Sequence, residues 1–150
     1  MDDHPPVKTD ASADEAAVRK WMETYMALIK NGEIEKWYTL WTDDVTLLPP
    51  NKPPVHGLDA WKKVTRPGFE QHNIRHEMTG LEVKTDSSIA YAIWSGFENN
   101  TLKKGGETMR NENKCIFILR RGVDGSWKGT HAMWSLSHPP KGKSSYAYEK

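Results

Sequence analysis

The sequence predicts an α+β domain: three N-terminal helices packed on a strongly curved antiparallel β-sheet, with a conical cavity between the two layers. Apolar residues recur at intervals of three and four up to about residue 64, as they do on one face of a helix. After residue 74 they alternate at intervals of two, as in half-buried strands. Helices that precede the strands, instead of alternating with them, favour an antiparallel sheet with the helices on one side.

The first two helices are predicted from capping signals and periodicity. Ser12-Ala13-Asp14-Glu15 matches a capping box, and Asn31-Gly32 provides a C-terminal stop. The apolar stripe between them consists of Val18, Trp21, Met22, Tyr25, Leu28 and Ile29. The second helix carries Ile34, Trp37, Tyr38 and Trp41 at the same spacing.

A short strand and a third helix complete the N-terminal half. Val45–Leu48 is predicted as a strand that ends at Pro49-Pro50, because proline donates no hydrogen bond to a sheet. The third helix is predicted over Leu58–Val64, with its end near Pro67-Gly68.

The C-terminal half is predicted to be strands. Ile74, His76 and Met78 share one face, and the phase slips at Thr79-Gly80, which indicates a β-bulge that bends the sheet. Ile89–Phe97 is apolar on both faces and therefore central, and residues 99–106 are predicted to be a hairpin loop. The last two strands, Asn113–Arg121 and Trp127–Ser137, are joined by a turn containing Asp124-Gly125.

Composition limits the function classes. The net charge is +1 with both signs interspersed, which excludes the one-sided basic face of a nucleic-acid binder. No apolar run is long enough to span a membrane, the N-terminus does not resemble a signal peptide, and a single cysteine excludes an internal disulfide. We therefore expect a cytoplasmic chain with one domain over residues 12–138, flanked by flexible tails at 1–11 and 139–150.

Several segments together resemble a known superfamily. They are Tyr25-Met26-Ala27, Asn31-Gly32-Glu33, Trp37–Leu40, Asp43–Thr46, Pro49–Gly57 and Asp124–Lys128. In order and spacing the chain resembles the nuclear transport factor 2-like superfamily, in its branch of SnoaL-like and ketosteroid-isomerase-like domains, over about residues 14–137. The resemblance implies a cystatin-like α+β barrel and a homodimer formed through the outer sheet face. It implies no single activity, because isomerases, dehydratases, cyclases and catalytically silent binding domains share this fold.

The isomerase pattern is only partly present. Tyr25 falls on the position of the tyrosine that donates to the substrate oxyanion. The position of the carboxylate base falls at about Pro49, and that of the second, acidic donor falls among Ile116-Phe117-Ile118. The side chains of Pro49, Ile116, Phe117 and Ile118 cannot transfer a proton. The resemblance therefore does not imply the usual isomerase mechanism.

The resemblance to scytalone-dehydratase-like relatives implies a different pair. Those relatives carry a histidine on the long strand after the third helix, where this chain has His76. A histidine can accept a carbon-bound proton near pH 7, and a tyrosine such as Tyr25 can polarise the adjacent carbonyl. Tyr25 on an apolar stripe and His76 beside Ile74 are equally consistent with core residues whose polar atoms are bonded internally.

The predicted function is that of a small-molecule pocket. Tryptophans on the elements that line or close the cone indicate an aromatic cavity, so the expected partner is a hydrophobic small molecule. His72 and His76 lack further ligands, so neither a metal nor another cofactor is expected. We predict a dehydratase or isomerase that acts on a cyclic or polyketide-like substrate, with a non-catalytic ligand-binding or dimerisation domain as the alternative. The predicted substrate-binding residues are Trp41, Trp61, Met78, Trp94, Asn113, His131 and Trp134.

Overall fold

The structure, a computed structural model, describes residues 11–139. The predicted tails therefore lie outside the described residues, except for Ala11 and Pro139. The elements follow the predicted order of helix, helix, strand, helix and strands. The helices are α1 (Ala11–Lys30), α2 (Ile34–Tyr38) and α3 (Leu58–Gln71), and the strands are β1 (Trp41–Leu48), β2 (Val55–His56), β3 (His72–Asp86), β4 (Ile89–Leu102), β5 (Met109–Arg121) and β6 (Trp127–Leu136).

The six strands form a single curled sheet that does not close. Their order is β2-β1-β6-β5-β4-β3. β1 runs parallel to β6, and every other neighbouring pair is antiparallel. With three helices packed against this sheet, the predicted α+β class is confirmed.

The predicted bulge in the longest strand is also confirmed. The register between β3 and β4 shifts between Met78 and Gly80. On the partner strand, Gly96 lies so close to β3 that a Cβ atom there would overlap the carbonyl oxygen of Glu77. This close approach can occur only because residue 96 has no side chain.

The stripe of α1 faces the core as predicted. Val18, Trp21, Met22, Tyr25 and Ile29 are buried, and Leu28 packs partly buried against them. Gly32 follows the helix with φ of +72°, the left-handed conformation expected of a C-terminal stop. Within residues 11–139, no helix combines the length and the hydropathy required to cross a membrane.

Several predicted boundaries are wrong, and β1 and β5 each begin four residues earlier than predicted, at Trp41 and Met109. Trp41 begins β1 instead of ending α2, and its indole packs on Gly129 of β6, where any Cβ atom would collide with the ring. α3 continues through Pro67 to Gln71, because burial of Thr65 and Phe69 outweighs the helix-breaking tendency of proline. The predicted hairpin loop at 99–106 is shorter, since β4 extends to Leu102.

Candidate functional site

A small aromatic cavity lies between the helices and the sheet. Its volume is about 30 Å³, enough for about two water molecules and far below the roughly 300 Å³ or more of a pocket for a drug-sized ligand. Most of its wall is aromatic, from Tyr25, Trp37, Trp41, Trp61, Phe69, Trp94, Phe117 and Trp134. The ionisable and amide side chains in the wall, apart from Tyr25, are His76, Glu98, Asn113 and Cys115.

A buried histidine and glutamate form the polar centre of this cavity. His76 on β3 and Glu98 on β4 are register partners, so their side chains emerge side by side from the same face of the sheet. His76 Nε2 lies 3.3 Å from Glu98 Oε2, and the two side chains are only 3% and 4% exposed. Because water has almost no access to this pair, the hydrogen bond between them fixes the orientation of the imidazole ring.

A second hydrogen bond holds the carboxylate from the other side. Asn100 Nδ2 donates to Glu98 Oε1 over 2.6 Å. When Glu98 is ionised, its Oε2 accepts the proton of His76 Nε2, and the lone pair of the ring then lies on Nδ1. His76 Nδ1 is buried and has no hydrogen-bond partner among the described residues. His76 therefore has one ring nitrogen without a hydrogen-bond partner in the wall of the cavity.

Tyr25 faces the same centre from α1. Its ring centroid lies 6.0 Å from that of His76. Burial raises the pKa of the Tyr25 hydroxyl well above its usual value, and the nearby Cys115 and Glu98 raise this pKa further. The hydroxyl therefore stays protonated at neutral pH, so it can act as a hydrogen-bond donor.

Cys115 completes the polar part of the wall, but as an unreactive group. Burial raises the pKa of its thiol well above the usual value, and the charge of Glu98 raises it further. Since the thiolate is the nucleophilic form, this environment disfavours nucleophilic chemistry at Cys115.

The structure brings most of the predicted site residues to one place. The wall includes Tyr25 and His76, together with the predicted binding residues Trp41, Trp61, Trp94, Asn113 and Trp134. Met78 lies outside this wall and is 37% exposed, since the bulge that follows it ends the regular inward alternation of β3. His131 is also outside, because it points away from the helices on β6, out of phase with the buried Ala132.

Sequence reasoning missed Glu98 and Asn100. Both lie in the segment 98–102, and the sequence predicts a loop from residue 99 onward, whereas β4 continues through it with every second residue buried. Glu98 is four residues after the buried Trp94 and therefore shares its face. This phase relation was the available signal for an inward carboxylate opposite His76.

The positions that carry acids in the isomerase pattern are apolar in this chain. Pro49 is buried directly after β1, and Phe117 lies in the cavity wall. The carboxylate in this wall comes instead from β4, as Glu98. Among residues 11–139, no group of three or more His, Cys, Asp or Glu side chains is placed to hold a metal ion.

Comparison with known proteins gives one family and many similar folds. Residues 10–132 match the model of a family described as a SnoaL-like domain. No curated protein matches the sequence. A ketosteroid isomerase-like protein from Erwinia carotovora atroseptica superimposes with a TM-score of 0.71 at 23% identity, over 84% of this chain and 98% of that one.

Two structures from Novosphingobium aromaticivorans are also similar. One is a candidate scytalone dehydratase, with a TM-score of 0.78 at 15% identity, over 89% of this chain and 91% of that one. The other is described as an NTF2-like protein with a cystatin-like fold, with a TM-score of 0.68 at 17% identity, over 84% and 83% of the two chains. At these identities the likeness concerns the fold alone.

Proposed function

Because the chain belongs to the SnoaL-like domain family, we propose that its cavity binds a small, largely hydrophobic cyclic molecule and transfers protons to and from it. The reaction would be a dehydration or an isomerisation of a cyclic or polyketide-like ketone, carried out without a cofactor. The observation that carries this proposal is the buried hydrogen bond between His76 and Glu98, in the wall of the cavity that Tyr25 also lines.

His76 would act as the acid–base group. Its Nδ1 atom would take a proton from the carbon next to the substrate carbonyl, which makes the ring positively charged. Glu98 would stabilise that charge through the hydrogen bond to Nε2, in the way a triad carboxylate stabilises its histidine. The proton would then pass to a leaving hydroxyl in a dehydration, or to another carbon in an isomerisation.

Tyr25 would stabilise the negative charge that develops on the substrate oxygen. Its hydroxyl remains a donor at neutral pH, since burial raises its pKa. A hydrogen bond from a preorganised donor in a site with little water strengthens as the oxygen gains charge, so it favours the transition state over bound substrate.

A non-catalytic binding domain is the second candidate, and the small volume of the cavity favours it. About 30 Å³ does not admit a six-membered ring unless the wall moves. In a non-catalytic domain, the same aromatic residues would form a packed core that binds a ligand only when it opens. The proton-transfer proposal therefore needs a test that separates binding from chemistry.

Deuterium exchange provides that test without knowledge of the natural substrate. Cyclohexanone in D₂O exchanges its α-hydrogens slowly, and NMR follows the exchange directly. We expect the protein to accelerate it, and we expect His76→Gln to reduce the protein-dependent rate by about 10²-fold. Tyr25→Phe should also reduce the rate, because it removes the donor to the oxygen.

The control is His138→Gln, which alters an exposed histidine outside the cavity wall. Its exchange rate should equal that of the unmodified protein. Binding of cyclohexanone, seen as tryptophan fluorescence quenching, without accelerated exchange would favour the binding domain. Equal acceleration by the His76→Gln variant would contradict the role given to His76.

We also propose that the chain forms a homodimer through the outer face of the sheet. Ile93, Ile116 and Met133 are register partners across β4, β5 and β6, and they are 39%, 38% and 51% exposed. Ile118, in the next row, is 39% exposed. A contiguous apolar surface of this kind is typical of a protein–protein contact.

A charge at the centre of this surface should separate the subunits. We expect Ile116→Lys to convert a dimer mass in light scattering to a monomer mass, because it would bury a lysine opposite an apolar surface. The matched control is Val123→Lys, at an exposed apolar residue in the β5–β6 turn, which should remain dimeric. A monomer mass for the unmodified protein would contradict the proposed dimer.

A further inference from the structure

A second, larger space, a groove, adjoins the aromatic cavity. Its volume is about 410 Å³, and it lies where α1 ends, α2 begins and β3 starts. Ile29 and Phe69 belong to the walls of both the groove and the cavity. Only these two side chains are shared by the two walls, so their movement would join the two spaces.

Phe69 is the part of this partition that we expect to move. It is 8% exposed and packs edge-on against Trp37, with 5.2 Å between the ring centroids. It lies in the last turn of α3, directly after Pro67 and Gly68. Proline has no N–H group to bond the preceding turn, so the helix has one hydrogen bond fewer beside Phe69, and Gly68 adds no side chain to restrict the backbone there.

The groove also carries a positive charge that the nearby chain does not neutralise. Its charged side chains are Lys30, Glu35, Arg66, Glu70 and Lys103. Arg66 is paired with Glu35 over 2.8 Å. Neither Lys30 nor Lys103 forms an ion pair with any described residue, so two cations oppose the single carboxylate of Glu70.

Three backbone carbonyls near the groove are hydrogen-bonded within the chain. The carbonyl of Gly68 accepts from His72 Nδ1 over 3.0 Å. The carbonyls of Leu28 and Gln71 accept from backbone amides over 2.9 and 2.8 Å. The ammonium groups of Lys30 and Lys103 have no ion-pair partner among the described residues, so they are the groups in this groove suited to bind a ligand carboxylate.

We propose that the groove is the outer half of the same ligand site, and that the ligand is elongated, with an apolar ring at one end and a carboxylate at the other. The ring passes Phe69 into the cavity, and the carboxylate lies in the groove near Lys30 and Lys103. This inference rests on the proposed function for the cavity itself. The cavity alone has a volume of about 30 Å³, but the cavity and the groove together would hold a larger molecule.

Two matched probes test whether the groove binds the carboxylate end of the ligand. 4-Phenylbutyrate and 4-phenylbutanol share a ring and a chain and differ in charge, and calorimetry gives the Kd of each. We expect the carboxylate to bind about fivefold more tightly at low salt, with the advantage reduced as salt increases. The double variant Lys30→Gln/Lys103→Gln should remove this preference, whereas Lys63→Gln, an exposed lysine of α3 outside both walls, should keep it.

Phe69→Ala tests the partition. Removing the ring joins the two spaces, so both probes should associate faster than with the unmodified protein. Equal affinity for the two probes would overturn the carboxylate-binding role of the two lysines, and unchanged association in Phe69→Ala would overturn the route past Phe69. Failure of both probes to bind to either protein would overturn the whole inference. The cyclohexanone assay judges the proposed function separately, because cyclohexanone has no chain to reach the groove.

Discussion

Alanine at Gly96 is expected to lower the free energy of unfolding by about 3 kcal/mol, the upper end of the usual cost of overpacking. The added Cβ atom would overlap the carbonyl oxygen of Glu77 and lie 2.9 Å and 3.0 Å from the Glu77 carbonyl carbon and the Met78 Cα atom. All three are backbone atoms of the neighbouring strand, so no side-chain rotation relieves the clash. The two strands would have to separate where the bulge draws them together.

Gly80→Ala is the matched control, at the opposite side of the same bulge. A Cβ atom there would lie 3.1 Å from Ser95 Oγ, which can rotate away. We expect a loss below about 1 kcal/mol, measured by urea denaturation of both variants and the unmodified protein. Equal losses for the two variants would show that the close approach of β3 and β4 at Gly96 does not constrain the fold.

The bulge also sets the geometry of the candidate site. Gly96 is two residues before Glu98 and Met78 is two residues after His76, so the kink lies directly beside the histidine–glutamate pair. A partly folded Gly96→Ala protein should therefore lose ligand binding together with stability.

The sequence was sufficient for the features that depend on local pattern. Burial of Val18, Trp21 and Tyr25 follows from helical spacing, and the bulge at Gly80 follows from a phase slip. The helical continuation through Pro67 could not be predicted in the same way. It depends on the contact between Phe69 and Trp37, two residues far apart in the chain.

In the candidate site, too, some residues follow from the local sequence pattern and others depend on contacts between distant parts of the chain. Tyr25 and His76 were predicted from their positions in a pattern, and the structure brings both to one cavity. Glu98 was missed because the polar segment that follows it has the composition of a loop. The segment nevertheless pairs with β3 and β5, and as a strand it turns every second residue inward. One of these residues is Glu98, whose carboxylate would remain in solvent if local propensity alone decided the structure.

The histidine–glutamate pair should also have a large effect on stability. We expect His76→Leu to lower the free energy of unfolding by about 3 kcal/mol, because it leaves the carboxylate of Glu98 buried without its histidine partner. Glu98→Leu should also be costly, since it deprives both His76 Nε2 and Asn100 Nδ2 of their acceptor.

The double variant His76→Leu/Glu98→Leu distinguishes a paired interaction from two independent contributions. Replacing both members of a buried pair with apolar side chains removes the unpaired charge, but Asn100 Nδ2 still loses its acceptor. We therefore expect the double variant to lose about 2 kcal/mol, clearly less than the sum of the two single losses. Urea denaturation of the four proteins measures the coupling, and additive losses would show that His76 and Glu98 do not act as a pair. If the pair is coupled, the double variant is a folded protein without the proposed acid–base group. Its failure to accelerate exchange of cyclohexanone could then be attributed to the missing chemistry and not to unfolding.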